Sequence, residues 1–489
     1  MWSDASNTAD VATFASAAVP RLARPIQISN ELLQASDATI DGCVAHADPL
    51  VFRGLLYQLT GEEELAGMPV ERRPYGYNHV DLLTREADVQ LIRAKAARLL
   101  KQLRDSSKTE IDIGPLNRLP RSLELSAGKD IPMSEMEMWI EETGLYPLVR
   151  GLKWKNEPTR ERKESFFVVV IGGGMSGVNA AVHLKAAGIP FVVIEKNSGV
   201  GGVWFENRYP GIRVDTPSRG YLHLFGLEFP QAYSFCPGDE NVRYLNWILD
   251  KHDLRSHFVF DTEVSDLAWD EETHTWNIQA SGPDGARSWR ANAVFSCVGF
   301  LSRPQKPEIA GLESFRGVAC HTAEWPDDLD LTGKRVAVIG SGASGYQTVP
   351  IIAKLAAHTY LFQRNASWCY PTEAYADRLP DQVLWIERNA PFYVEVDAES
   401  YWRFNERTRP GRAHDGLFRS ARDELLPQRA RPFERQRPDR YPPHVALAAR
   451  SGGAAAPNAR RRPEAVFWRR SHCRLASMTG ADGADPLPL

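Results

Sequence analysis

Two glycine-rich turns in one chain, Gly172, Gly174 and Gly177 and then Gly340, Gly342 and Gly345, each have the spacing that cradles a dinucleotide pyrophosphate. The first glycine of such a turn permits the tight bend, the second lets backbone approach the phosphates, and the third lets helix pack on strand. The phosphates then sit on a helix N-terminus, where unpaired N–H groups and the helix dipole favour negative charge. Each turn follows an apolar run, Phe166 to Ile171 in one case and Arg335 to Ile339 in the other. What separates the two is the end of the next strand. Phe191-Val-Val-Ile194 ends at Glu195, 23 residues after Gly172, where a carboxylate would accept from both ribose hydroxyls and repel a 2'-phosphate. That site is expected to hold FAD or NAD, not NADP. Thr359-Tyr-Leu-Phe-Gln-Arg364 instead delivers an arginine 24 residues after Gly340, and a guanidinium suits a 2'-phosphate through bidentate, charge-assisted hydrogen bonds. NADPH is expected there, so the chain is read as passing electrons between two cofactors.

Two further segments narrow the chemistry. Gly201-Gly202-Val-Trp204 leads through Tyr209-Pro210-Gly211-Ile-Arg213 to Asp215, and Phe315-Arg-Gly317 leads through His321 to Trp325-Pro326. The patterns GGxWxxxxYPGxxxD and FxGxxxHxxxWP resemble those of the Baeyer-Villiger monooxygenases, a branch of the flavin-containing monooxygenases. The resemblance implies that FAD occupies the first site and that Gly202 and Trp204 lie against the flavin. It implies too that Tyr221 contacts the cofactor, that Arg213 is among the cofactor-binding residues, and that Asp215 lies near the reacting face. A carboxylate there could orient a cationic partner and tune proton transfer. His321 is expected to couple domain movement to the site, with Trp325 packing beside it; with Asp215 these are the catalytic candidates. The implied reaction consumes NADPH and O2 and inserts one oxygen atom next to a ketone carbonyl, giving an ester or lactone. The family's Lys-Arg-Pro segment cannot be placed, because no lysine follows Lys354. Two other readings stay open: an N- or S-oxygenating flavin monooxygenase, and a truncated, inactive nucleotide-binding chain.

The elements that must position these residues give an α/β fold class, with two Rossmann-like dinucleotide-binding domains for FAD and NADPH. A helical extension precedes them, at residues 1–155, where Thr84 to Asp105 carries an apolar face and Thr84 is the expected N-cap. The extension resembles that of the 4-hydroxyacetophenone monooxygenase subgroup, which hints at an aryl ketone substrate and a homodimer. Charged, Pro-containing residues at Glu157 to Glu164 read as a linker. The FAD-binding part is expected at 165–325, with strands at Phe258 to Val264, Trp276 to Ala280 and Ala293 to Val298, and the NADPH-binding part at 326–372. Pro350 falls inside the helix expected there, where it would ordinarily break it. A helical subdomain remnant is expected at 373–425 and an irregular tail at 426–489. In that C-terminal stretch 18 arginines lie between Arg403 and Arg474 among many prolines, and no strand or helix periodicity is legible from about Leu426. Disorder is the plain reading of this tail, and a frame-shifted reading of a GC-rich gene is the sharper one; a sheet short of its last strands would also leave unpaired edges.

Composition excludes little else. The 489 residues are 43% hydrophobic and 25% charged with a net charge of -4, ordinary for a globular chain and no invitation to nucleic acid. No apolar run approaches the roughly 20 residues needed to span a bilayer. Met1 to Asn7 has no lysine or arginine and does not resemble a signal peptide, so the cytosol is expected. The six cysteines, Cys43, Cys236, Cys297, Cys320, Cys369 and Cys473, are scattered without CxxC spacing. This pattern argues against metal centres and against a disulfide reductase, which needs a close cysteine pair.

Overall fold

A computed structural model describes residues 25–75, 78–145, 148, 150–364 and 375–397, together with the strands Val445–Ala448 and Ala465–Trp468. Its described residues divide into two units: unit 1 takes 25–205, 213–299 and 375–397, and unit 2 takes 206–212, 300–364 and the two late strands.

The extension in unit 1 is built on helices α1 (Pro49–Thr60), α2 (Glu86–Asp105) and α3 (Leu119–Ala127). Val89, Ile92, Ala96, Leu100 and Leu103 form the buried stripe of α2, as its periodicity dictates. Beside the helices the extension also carries an antiparallel hairpin, Val70–Tyr75 with Asn78–Leu83, and a two-residue pairing of Ile26–Gln27 with Glu110–Ile111, which the helical reading did not include. The hairpin also removes Thr84 from the N-cap. Its amide donates to Pro69 O at 3.2 Å at the end of the hairpin, and α2 starts at Glu86 behind Arg85, without a side-chain cap. Arg85 Nε instead bonds Asp88 Oδ2 at 2.7 Å.

The nucleotide part of unit 1 follows a five-residue helix, Arg160–Glu164, that replaces the expected linker and is capped by Thr159. Strand β1 (Val168–Ile171), helix α4 (Met175–Ala187), β2 (Phe191–Ile194), helix α5 (Gly238–Lys251) and β3 (Phe258–Val259) come next. An antiparallel meander of β4 (Glu263–Asp270), β5 (Thr275–Gly282) and β6 (Gly285–Ala291) then leads to β7 (Ala293–Ser296). The parallel sheet has the order β7-β1-β2-β3. Both faces of β1 are covered, which is why it reads Val-Val-Val-Ile without polar alternation. Val168 and Val170 join Val178, Val182, Leu245 and Ile248 beneath the helices, while Val169 packs with Ile278 and Ala291 of the meander.

Unit 2 repeats the logic with β8 (Val318–His321), β9 (Arg335–Ile339), α6 (Ala343–Leu355) and β10 (His358–Phe362). Pro350 lies inside α6, and the helix continues past it to Leu355. The expectation that no regular element follows about residue 426 is corrected here. Strands β11 (Val445–Ala448) and β12 (Ala465–Trp468) complete a parallel sheet of order β8-β12-β9-β10-β11. Val-Ala-Leu-Ala and Ala-Val-Phe-Trp are short apolar runs set between prolines and arginines. A four-residue parallel strand needs no alternation, so periodicity passes over it.

Of the expected 373–425 remnant, helices Asp381–Asn389 and Tyr393–Val396 are described, and the stretch 398–425 lies outside the described residues. Trp385, Ile386, Phe392, Tyr393 and Val396 share one buried cluster with Phe52, Ile92 and Leu100 of the extension.

Candidate functional site: two glycine turns

In unit 1, β1 runs into Gly172, whose φ of 103° belongs to the region that disfavours side chains. Gly172 N donates to Ile194 O at 2.8 Å, tying the turn to β2. Gly174 opens α4 in an extended conformation and offers no side-chain cap, so the first N–H groups of α4 are left for another acceptor. A Cβ on Gly177 would stand 1.8 Å from Gly172 O. Gly201 N donates to Gly173 O at 3.1 Å, and a Cβ on Gly202 would meet the Gly174 Cα at 3.2 Å, so the two glycine motifs form a single bare backbone cradle. Glu195 is buried at the strand end. Its Oε2 accepts from Gly173 N at 2.5 Å and its Oε1 from Asn197 N at 2.8 Å. A carboxylate offers about four acceptor sites, so two remain open to other donors.

Beside this cradle, Trp204 Nε1 donates to the Tyr221 hydroxyl at 3.0 Å with the rings edge to face at 5.6 Å. Burial pushes the Tyr221 phenol up, and the nearby charge of Asp215 adds to that shift against the relieving Trp204 bond. Asp215 itself is exposed. Arg213 follows a different course from the rest. Its guanidinium donates to Phe235 O at 2.5 Å and to Tyr375 O at 3.5 Å, and lies 5.4 Å from the Tyr233 ring centre and 5.8 Å from that of Tyr375. These contacts tie together three backbone stretches of unit 1.

Unit 2 holds the second turn in nearly the same geometry. Gly340 has φ 107°, its amide donates to Phe362 O at 2.8 Å, Gly342 opens α6 without a side-chain cap, and a Cβ on Gly345 would stand 2.2 Å from Gly340 O. Arg364 is exposed two residues beyond β10. Tyr209 of the 206–212 segment is buried, and its hydroxyl donates to Gln347 Oε1 of α6 at 3.0 Å. Arg208 Nη1 bonds both carboxylate oxygens of Asp327 at 2.9 Å. The sequence reading missed Gln347 and Asp327, since nothing in their local pattern marks them. The segment Tyr209-Pro-Gly, quoted above as one motif with Trp204, therefore belongs to the other unit.

His321 ends β8 in unit 2, buried, with Nδ1 accepting from Ala323 N at 3.1 Å. Its Nε2 is buried without a hydrogen-bond partner among the described residues, and burial lowers the imidazole's pKa. Trp325 packs against the core made by Cys320, Val336, Val338 and Ile352. Of the three catalytic candidates, Asp215 belongs to unit 1 and His321 and Trp325 to unit 2.

Among the described residues no group of three or more His, Cys, Asp or Glu could hold a metal, and no helix is long and apolar enough to cross a membrane.

An uncharacterized monooxygenase, y4iD, of Sinorhizobium fredii is 32% identical over 343 residues, 69% of this chain and 50% of that protein. A Baeyer-Villiger monooxygenase of Streptomyces coelicolor is 43% identical over 208 residues, 42% of this chain and 39% of its own length. The chain thus spans half or less of the curated relatives it matches. The solved structure of OTEMO in complex with FAD and NADP is 34% identical, covers 46% of this chain and 44% of that one, and superposes with a TM-score of 0.42. The model of the flavin-binding monooxygenase-like family matches residues 166–403, which span both glycine turns.

Proposed function

We propose that unit 1 binds FAD, that unit 2 binds NADPH, and that the chain serves a Baeyer-Villiger oxidation in which one oxygen atom of O2 enters next to a ketone carbonyl. The observation that carries this reading is a pair of turns alike in backbone, with φ of 103° and 107° at their first glycines, whose following strands lead to Glu195 in one and Arg364 in the other. When bound, FAD supplies oxygen activation and NADPH supplies the hydride. The chain's own contribution is to hold and orient. The α4 N-terminus takes a pyrophosphate, Glu195 takes ribose hydroxyls, and Trp204 with Tyr221 and Asp215 line the approach to the ring. Arg364 selects a 2'-phosphate, while His321 and Trp325 transmit movement at the entrance to unit 2. Relatives named as Baeyer-Villiger monooxygenases support the ketone. The finer reading is an aryl ketone, a homodimer formed through the extension, and a cytosolic location. The test is the visible spectrum of the purified chain followed by anaerobic NADPH in the same cuvette. A bound flavin spectrum that bleaches is expected. A colourless protein that FAD cannot reconstitute would refute the proposal.

A further inference from the structure

Resting on the FAD reading of unit 1, we propose that Tyr244 and His223 form a positioning pair for the cofactor cradle, locking the 218–226 segment against the first turn of α4. Tyr244 of α5 is wholly buried, and its hydroxyl meets residue 223 twice. It accepts from the His223 backbone N–H at 2.8 Å and lies 3.0 Å from His223 Nδ1, within hydrogen-bond distance. Donating its one proton to Nδ1, the hydroxyl would fix the neutral imidazole with Nδ1 as acceptor. The ring is further held flat on Phe225, at 4.7 Å and 8° between planes. Its interaction with the backbone of Met175 favours the protonated ring, yet burial outweighs this and holds the imidazole near a pKa of about 4. Met175, the first residue of α4, packs against the buried cluster that contains Phe225 and Tyr244, so this cluster bears on the turn read as facing the pyrophosphate.

Two details mark the pair as built for this place. A Cβ on Gly226 would stand 2.5 Å from the Tyr244 hydroxyl, so the segment reaches the phenol only because residue 226 is glycine. Residue 223 lies two positions after Tyr221, whose hydroxyl receives the Trp204 indole N–H at 3.0 Å. The latch thereby fixes both sides of the cradle, the helix turn through Met175 and the aromatic wall through Tyr221. Neither residue touches the reacting atoms, and both act through their neighbours.

The experiment compares FAD affinity, by titration of the flavin-free full chain, with hydrogen exchange of the Met175 to Val178 amides, in Tyr244→Phe, His223→Leu, His223→Gln and the double variant Tyr244→Phe/His223→Leu. Ile40→Ala, placed in the core of the extension, serves as a control for lost stability alone. Tyr244→Phe and His223→Leu are expected to weaken FAD about tenfold and to speed exchange of those amides by a similar factor. His223→Gln, whose side-chain oxygen can accept from Tyr244, is expected to restore most of the affinity. The double variant should be no worse than the weaker single, as for one shared bond. Unchanged exchange in Tyr244→Phe, or a loss of affinity no greater than that of Ile40→Ala, would overturn the pair as a positioning device even though wild type binds FAD. A wild-type chain that never takes up FAD overturns the functional reading instead, and the exchange comparison still decides whether the latch orders the turn.

Discussion

Single atoms decide whether each nucleotide turn can close. The Cβ that alanine would add at 177 or at 345 falls 1.8 Å or 2.2 Å from the carbonyl oxygen at the start of its own turn. A backbone oxygen cannot rotate out of the way as a flexible side chain can, so the turn must open. We expect Gly177→Ala to abolish FAD retention while NADP+ titration by calorimetry stays intact, and Gly345→Ala to do the reverse. Either variant losing both ligands, or neither, would contradict two separate sites. Arg364 supplies a different kind of test, since it governs choice and not closure. Replacing it with glutamine removes the fork that pairs with a 2'-phosphate, so the preference for NADPH over NADH, measured as the ratio of kcat/KM for flavin reduction, should fall by about ten- to a hundredfold. An unchanged ratio would place 2'-phosphate recognition elsewhere in unit 2.

At the level of elements, the extension and the segment 381–396 share one core although more than 200 residues of sequence lie between them. The Tyr393 ring packs against that of Phe52 with centres 5.0 Å apart and planes tilted by 60°, and its hydroxyl accepts from Asp48 N at 2.9 Å, while Asp48 Oδ1 caps α1 through Leu50 N at 2.8 Å. Tyr393→Phe keeps the ring and strands a part-buried amide. A cost of about 1–2 kcal/mol is expected, read as a lower denaturant midpoint at constant m-value. A midpoint equal to wild type would mean that the amide finds another acceptor. This pairing was not legible in the sequence, because long-range packing leaves no periodic trace. What was legible is what chemistry constrains locally: the glycines, Glu195, Arg364, strand Arg335–Ile339 and the apolar stripe of α2. Thr84 was misread because a hairpin end competed for it. Strands β11 and β12 escaped because four apolar residues between prolines and arginines carry no pattern of their own. The split of one motif between units, Trp204 in one and Tyr209 in the other, is a property of tertiary contacts that residue order alone does not reveal.

Across the whole molecule, burial drives the shifted histidines in one direction. His183, His223 and His252 of unit 1 and His321 of unit 2 all have lowered pKa values, with desolvation as the leading cause, and His223 is brought to about 4. A histidine depressed in the folded chain contributes stability that is fully present above its unfolded value near 6.5 and is lost as pH falls toward the folded value. Glu395 works in the opposite sense. Burial pushes its carboxyl up to about 7, so protonation between 7 and its unfolded value near 4.5 favours the fold of unit 1. Its shift, from 4.5 to about 7, is as large as that of His223, from 6.5 to about 4, so the two oppose one another over much the same range, and unit 2 has His321 with no such carboxyl among its described residues. His223 alone, at 1.36 kcal/mol per unit of pKa difference, accounts for a loss on the order of 3 kcal/mol by pH 4. The two contributions nearly offset one another in the wild type, so the histidine loss is expected to show in Glu395→Gln, whose Tm, measured calorimetrically, should be level from pH 8 to 7, begin to fall near 6.5, and drop before the ion-paired surface carboxylates such as Asp37 and Glu62, which are held below their ordinary range, take up protons. The wild type should show a much shallower change between pH 7 and 5, because Glu395 opposes the imidazoles there. A Tm of Glu395→Gln that stays flat down to pH 4.5 would show that these imidazoles are hydrated and already charged, and would remove the basis for treating His223 as a neutral acceptor beneath the FAD cradle.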